Sequence, residues 1–111
     1  MPPKKSADLL QGTLDMLILR VAAIGPIHGY AIAQRIHVLS SEVLAVEEGL
    51  LYPTLQKMLV KAWVTAEWGT SETGRKVRFY HLTPEGRKQL KAELNGYDRV
   101  TQAIQEVLRT A

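Results

Sequence analysis

Tyr52, Gln56 and Lys57 lie on one side of a short segment whose apolar residues repeat at helical spacing, and they present a phenol, an amide and an ammonium. These groups suit a partner with ordered donors and acceptors. A side-chain amide pairs bidentately with adenine and a lysine reaches guanine or phosphate, so the face has the chemistry for reading a major groove. Lys61 extends it by one turn and Thr54 adds a hydroxyl. A second basic group, Arg75, Lys76 and Arg78, follows in a stretch where Glu67 and Glu72 are the only opposing charges. Cations gathered in this way fit the sugar-phosphate backbone or the minor groove, adding salt-sensitive affinity with little base preference. An ordinary solvated helix face and a solvated hairpin remain the plain alternatives.

The elements that must carry these groups are legible from periodicity. Leu51, Leu55, Met58 and Leu59 mark one buried face, which turns Tyr52, Gln56 and Lys57 outward. An interior proline costs about 3 kcal/mol, whereas near the first turn its missing N–H has no partner to lose, so Pro53 predicts a helix starting close to Gly49. Upstream, Leu10, Leu14, Leu17, Ile18, Val21 and Ile24 predict a first helix, mostly scaffold, ended by Gly25-Pro26. After the His28-Gly29 turn, Tyr30, Ile32, Ala33, Ile36 and Leu39 predict a second, closing around Ser40-Ser41. In such an arrangement one helix braces and the next enters the groove. Tyr30, Gln34 and Arg35 are placed to steady the nucleic-acid backbone, with packing as the equal alternative for Tyr30.

Val64–Trp68 and Lys76–Leu82 are β-prone and flank turn residues from Gly69 to Gly74, predicting a hairpin with a long tip. Val77, Phe79 and His81 share one face of its second strand; Lys76, Arg78, Tyr80 and Leu82 share the other, so both faces are expected to be partly covered. Thr83-Pro84-Glu85 is a helix start, with a capping hydroxyl, a proline suited to the first helical position and a carboxylate at the positive end of the dipole. A helix from there to about residue 109 spans on the order of 39 Å, too long for this small core. Its stripe of Leu90, Leu94, Tyr97, Thr101, Ile104 and Leu108, widened by Val100 and Val107, predicts a homodimer seam, to which Leu10 and Leu14 are added. Asn95-Gly96 lies within the stripe, so a break into two helices competes with one continuous helix.

The fold expected is mainly α with a small β-hairpin, a winged helix-turn-helix. Residues 1–7 form a basic arm, 8–83 the DNA-binding domain and 84–111 the dimerisation helix. The arm, with Pro2, Pro3, Lys4 and Lys5, is either a phosphate contact or a frayed terminus. At 111 residues and 46% hydrophobic content the chain fits one domain, and its net charge of +3 alone says little about partners. Cysteine is absent, which excludes disulfides, thiolate metal sites and cysteine nucleophiles. Asp15 and Arg20 interrupt the apolar run after Lys4 and Lys5, against both a signal peptide and a membrane span, so a cytoplasmic protein is expected. His28, His37 and His81 make no ligand cluster, and neither a phosphate loop nor a nucleophile elbow is present. No metal, cofactor or catalytic residue is expected.

Four blocks together resemble the PadR family of transcriptional regulators: Gly12-Thr13-Leu14 with Leu17-Ile18-Leu19, His28-Gly29-Tyr30, Glu48 to Leu55, and Arg78 to Gly86. The resemblance implies a homodimeric winged helix paired through its C-terminal helix. It also implies repression at inverted-repeat operators on double-stranded DNA until a small molecule or other signal releases the protein. With one C-terminal helix the chain is similar to the short branch, some of whose members bind planar aromatic compounds between subunits. Two positions depart from the pattern. Leu50 stands where the family usually has Ser or Thr, and the C-terminal helix has no tryptophan, leaving Tyr97 as the one aromatic on its stripe and Trp63 and Trp68 at or near the wing. A winged helix used only for protein–protein interaction is the rival reading.

Overall fold

The computed structural model describes residues 13–111 and the backbone of Lys4–Lys5. In chain order its elements are β1 (Lys4–Lys5), α1 (Thr13–Ala22), β2 (Ile27–His28), α2 (Gly29–Leu39), β3 (Leu44–Ala45), α3 (Glu48–Val60), β4 (Val64–Thr70), β5 (Lys76–Leu82) and α4 (Pro84–Thr110). The rest of the basic arm expected over residues 1–7, and Leu10 of the expected first helix, lie outside the described residues.

The first helix is buried on two sides. It packs against α2, α4 and β5, so Met16, Leu19 and Ala22 are buried as well as the expected Leu14, Ile18 and Val21. A single apolar stripe therefore understates it. Ile24 is a correction: Ala23 N–H is shared between the Leu19 and Arg20 carbonyls and Ile24 N–H bonds Val21, which tightens and ends the helix before the Gly25-Pro26 stop. Ile24 is left 67% exposed.

The second helix has the bounds expected of it, but Leu39 at its end is exposed. A tight turn follows in which Leu44 N–H donates to Ser40 Oγ and His37 Nδ1 lies 2.9 Å from the Leu44 carbonyl. Only a protonated Nδ1 can donate there, so His37 serves the turn. Leu44–Ala45 then runs parallel to Lys4–Lys5.

Leu51, Leu55 and Met58 of α3 are buried and Leu59 is half-buried, as their spacing predicts. Pro53 is a second correction. With the helix starting at Glu48, this proline falls inside it, in the second turn, where a residue with an N–H would bond the Gly49 carbonyl. The helix ends on a six-residue cap: Ala62 N–H bonds Leu59 O and Trp63 N–H bonds Met58 O, with Ala62 at φ 59° in the place usually taken by glycine.

The wing is larger than a hairpin. β4 and β5 pair antiparallel from Val64–Leu82 to Thr70–Lys76, and β2 joins the free side of β5, giving the order β2-β5-β4. Gly69 belongs to the strand, because its missing side chain lets the Phe79 ring cross the ribbon there. The tip narrows to residues 71–75, where Gly74 N–H bonds Ser71 O and Gly74 takes φ 82°. Tyr80 and Val64 are buried while Val77 and Phe79 are half-buried, so both faces are partly covered as expected.

Thr83 caps α4 by accepting from Gly86 N–H at 3.0 Å, while its own hydroxyl hydrogen points back to the Ala62 and Trp63 carbonyls. A Cβ on Gly86 would lie 2.1 Å from the Trp63 carbonyl oxygen, so this glycine lets the helix begin against the α3–β4 turn. From there α4 runs unbroken through Asn95-Gly96 for 27 residues, about 40 Å. Its first turns are core, with Leu90 6% exposed beside Leu14 at 8%. Leu14 and Leu90 are thereby removed from the expected dimer seam.

Candidate nucleic-acid interface

On α3 the exposed groups include Leu50, Tyr52, Pro53, Gln56, Lys57 and Val60, and α2 adds exposed Tyr30 and Gln34. Tyr52 leans its ring on α2, where Gly29 has no side chain to obstruct Cε1. Burial raises the phenol above its ordinary value, and the Glu48 carboxylate and Tyr80 add to the rise. It is therefore a neutral hydroxyl at physiological pH, able to donate to an anion without repelling it. Arg35 is exposed but lines the shallow crevice formed by Val21, Ile24, Gly25, Pro26 and Ile27. The Leu50 side chain is 39% exposed, a methyl-bearing surface where a hydroxyl was usual.

One expected contact is withdrawn from this face. Thr54 is 8% exposed, and its hydroxyl donates to the Leu50 carbonyl at 2.7 Å, the usual outlet for a threonine inside a helix. Lys57 is exposed, and its Nζ also lies 2.5 Å from Asp15 Oδ2 on α1, a carboxylate whose side chain is only 14% exposed. The same ammonium lies 5.9 Å from the Trp63 ring centre, and Lys61 approaches that ring at 5.5 Å. Glu93 of α4 faces the junction. Burial, followed by repulsion from Asp15, holds its carboxyl above the usual range, while Gln89 and Lys57 pull the other way. Lys57 is outward as its spacing predicts, and the carboxylate that α1 brings within its reach is what no helical wheel shows.

On the wing, Lys76 and Arg78 share a face with Trp68, which stands opposite Arg78 in the ladder and is 64% exposed. Both cations lie over its ring, Lys76 Nζ at 5.2 Å and Arg78 Cζ at 5.7 Å from the centre. Arg75 is exposed at the tip, its backbone N–H held by Ser71 Oγ. Trp68 escaped sequence reasoning because a tip drawn from Gly69 to Gly74 does not bring it opposite Arg78. The histidines are occupied elsewhere: His28 packs edge-on against Phe79 and His81 Nε2 lies 2.8 Å from Glu67 Oε1. Among the described residues no group of three or more His, Asp or Glu could hold a metal ion, and no helix is long and apolar enough to cross a membrane.

A helix-turn-helix followed by a basic antiparallel wing defines a winged-helix DNA-binding protein. The model of the transcriptional regulator PadR-like family matches residues 18–92, and the chain belongs to that family. It is similar to a transcriptional regulator from Clostridium thermocellum at 25% identity and TM-score 0.81, covering 89% of this chain and 96% of that one. A PadR-like transcriptional regulator from Bacillus cereus shares the fold at TM-score 0.77 and 24% identity, over 92% and 97% of the two chains. Uncharacterized protein X of Lysinibacillus sphaericus is 28% identical over 98 residues, 88% of this chain and 90% of the relative. The protein is thus a PadR-type transcriptional regulator, and regulators of this type bind DNA.

Proposed function

We propose that the protein acts in the cytoplasm as a homodimeric repressor of inverted-repeat operators, one α3 entering each of two successive major grooves while the wings grip flanking backbone. One observation carries the dimer. Beyond the core, α4 leaves Leu94, Tyr97, Val100, Ile104, Val107 and Leu108 between 37% and 74% exposed along one continuous helix. An apolar stripe of that length on an isolated helix is the surface a second helix covers. Gln56 and the Tyr52 hydroxyl are the proposed base or phosphate contacts, Tyr30, Gln34 and Arg35 steady the backbone, and Arg75, Lys76 and Arg78 hold phosphates from the wing. Lys61, at the C-terminal end of α3, has a supporting part through phosphate. Release by a small molecule or another signal rests on the family resemblance alone.

Selection of bound duplexes from random DNA at moderate salt tests this reading. The expected product is an inverted repeat with half-sites about one helical turn apart. Folded dimers that enrich no sequence would instead favour the rival, a winged helix that docks on proteins.

A further inference from the structure

Trp68 has no structural need to be a tryptophan. It lies beyond the core on the face of the ribbon that, nearer the domain, buries Val64 and Tyr80, and most of its ring is open to solvent. What it touches are cations. The ladder sets Trp68 opposite Arg78 and Thr70 opposite Lys76, so Lys76 is its diagonal neighbour, within reach of a long side chain. The ring therefore receives a directly opposed guanidinium and a diagonal ammonium, at 5.7 Å and 5.2 Å. Of the two acidic side chains of the wing, Glu67 is on the other face, with His81, and Glu72 is in the tip. Two like charges held on one indole repel each other, and an anion bound beside them relieves that repulsion.

We propose that Trp68 is a positioning residue for phosphate: it holds Lys76 and Arg78 in place on one face of the wing, ready for the backbone phosphates of duplex DNA. This rests on the DNA-binding reading above and adds to it a group that carries no charge. Free lysine and arginine side chains lose rotamer freedom when they bind, and holding them beforehand removes part of that cost. An exposed cation–π contact is weak singly. Two of them correspond to about a fivefold to thirtyfold change in affinity.

The test separates positioning from charge. The unaltered protein, Trp68→Leu and Trp68→Phe are titrated with a labelled duplex of arbitrary sequence, spanning two major grooves, over a range of salt. Trp68→Leu keeps apolar bulk but has no π face, so affinity is expected to fall by about fivefold to thirtyfold with the salt slope retained, because every cation is still present. Trp68→Phe, which retains a ring, is expected to fall less. In a Lys76→Ala/Arg78→Ala background Trp68→Leu should have no further effect. In the DNA-free protein, ring-current shifts on the Lys76 and Arg78 methylene protons should disappear in Trp68→Leu. An undiminished loss in the doubly substituted background, or methylene protons without ring-current shifts, overturns the proposal even if binding weakens. Duplex binding by the unaltered protein that Trp68→Leu leaves intact overturns the proposal alone, whereas no binding by the unaltered protein removes the DNA-binding reading with it.

Discussion

At the scale of single residues, Ala62 and Glu93 each hold a state that costs stability. Ala62 closes α3 at φ 59°, a left-handed conformation that costs an L-residue roughly 1–2 kcal/mol. Ala62→Gly removes that strain but loosens the unfolded chain by about 0.4–1 kcal/mol, so a net gain of about 0.5–1 kcal/mol is expected in denaturant unfolding. A loss of stability would show that the cap is not strained. The second position is Glu93, whose Oε2 is enclosed without a hydrogen-bond partner among the described residues. Because burial and Asp15 raise its folded pKa, its contribution is fully present below the ordinary value of 4.5 and is lost as pH rises through the folded value. Glu93→Gln should therefore raise the melting temperature at pH 7, and the gain should vanish as the pH is brought below the ordinary carboxylate range. An equal gain at both ends of that range would assign the effect to something other than ionisation.

At the scale of elements, α3 and the wing hold their cations in different settings. Lys57 sits on α3 paired with Asp15, whereas Arg78 and Lys76 stand on the wing above an exposed ring. Substitution separates them. Arg78→Ala should flatten the dependence of log affinity on log salt by about one unit, the signature of one lost phosphate contact. Lys57→Ala should leave that slope unchanged and instead cost about 1–3 kcal/mol of stability, because a mostly buried Asp15 loses its partner beside Glu93. A shallower salt slope in Lys57→Ala would count this lysine as a phosphate contact as well.

At the scale of the whole molecule, α4 divides in two. Gly86 and Leu90 belong to the winged core, while Leu94, Tyr97, Ile104 and Leu108 extend beyond it with apolar side chains partly or largely open. A charge at Leu94 or Ile104 would have to be buried in a helix–helix seam but is tolerated in a monomer. Leu94→Asp and Ile104→Asp are therefore expected to sediment as folded monomers with weakened operator binding. Dimers that survive both substitutions would rule out this seam. Leu90→Asp is no substitute, since that side chain lies in the core of its own chain and its loss would unfold the wing's support.

The sequence by itself determined the order of the four helices and the two long strands. Period-four and period-two patterns, the Thr83-Pro84 start and the turn glycine at 74 depend on neighbours a few residues away, and such local physics is written directly in the chain. The stripe on α4 was legible for the same reason, as was the placing of Tyr52 and Gln56 outward on α3. Only the tertiary structure decided which partners distant residues find. Lys57 meets Asp15 forty-two positions away, β2 adds a strand to the wing that two residues could not announce, and Trp68 stands opposite Arg78 because the tip closes at 71–75. Leu14 and Leu90 were assigned by periodicity to a seam between chains, and packing turned them inward instead. A helical period tells that a face is apolar, but what covers that face depends on where the rest of the chain comes to lie.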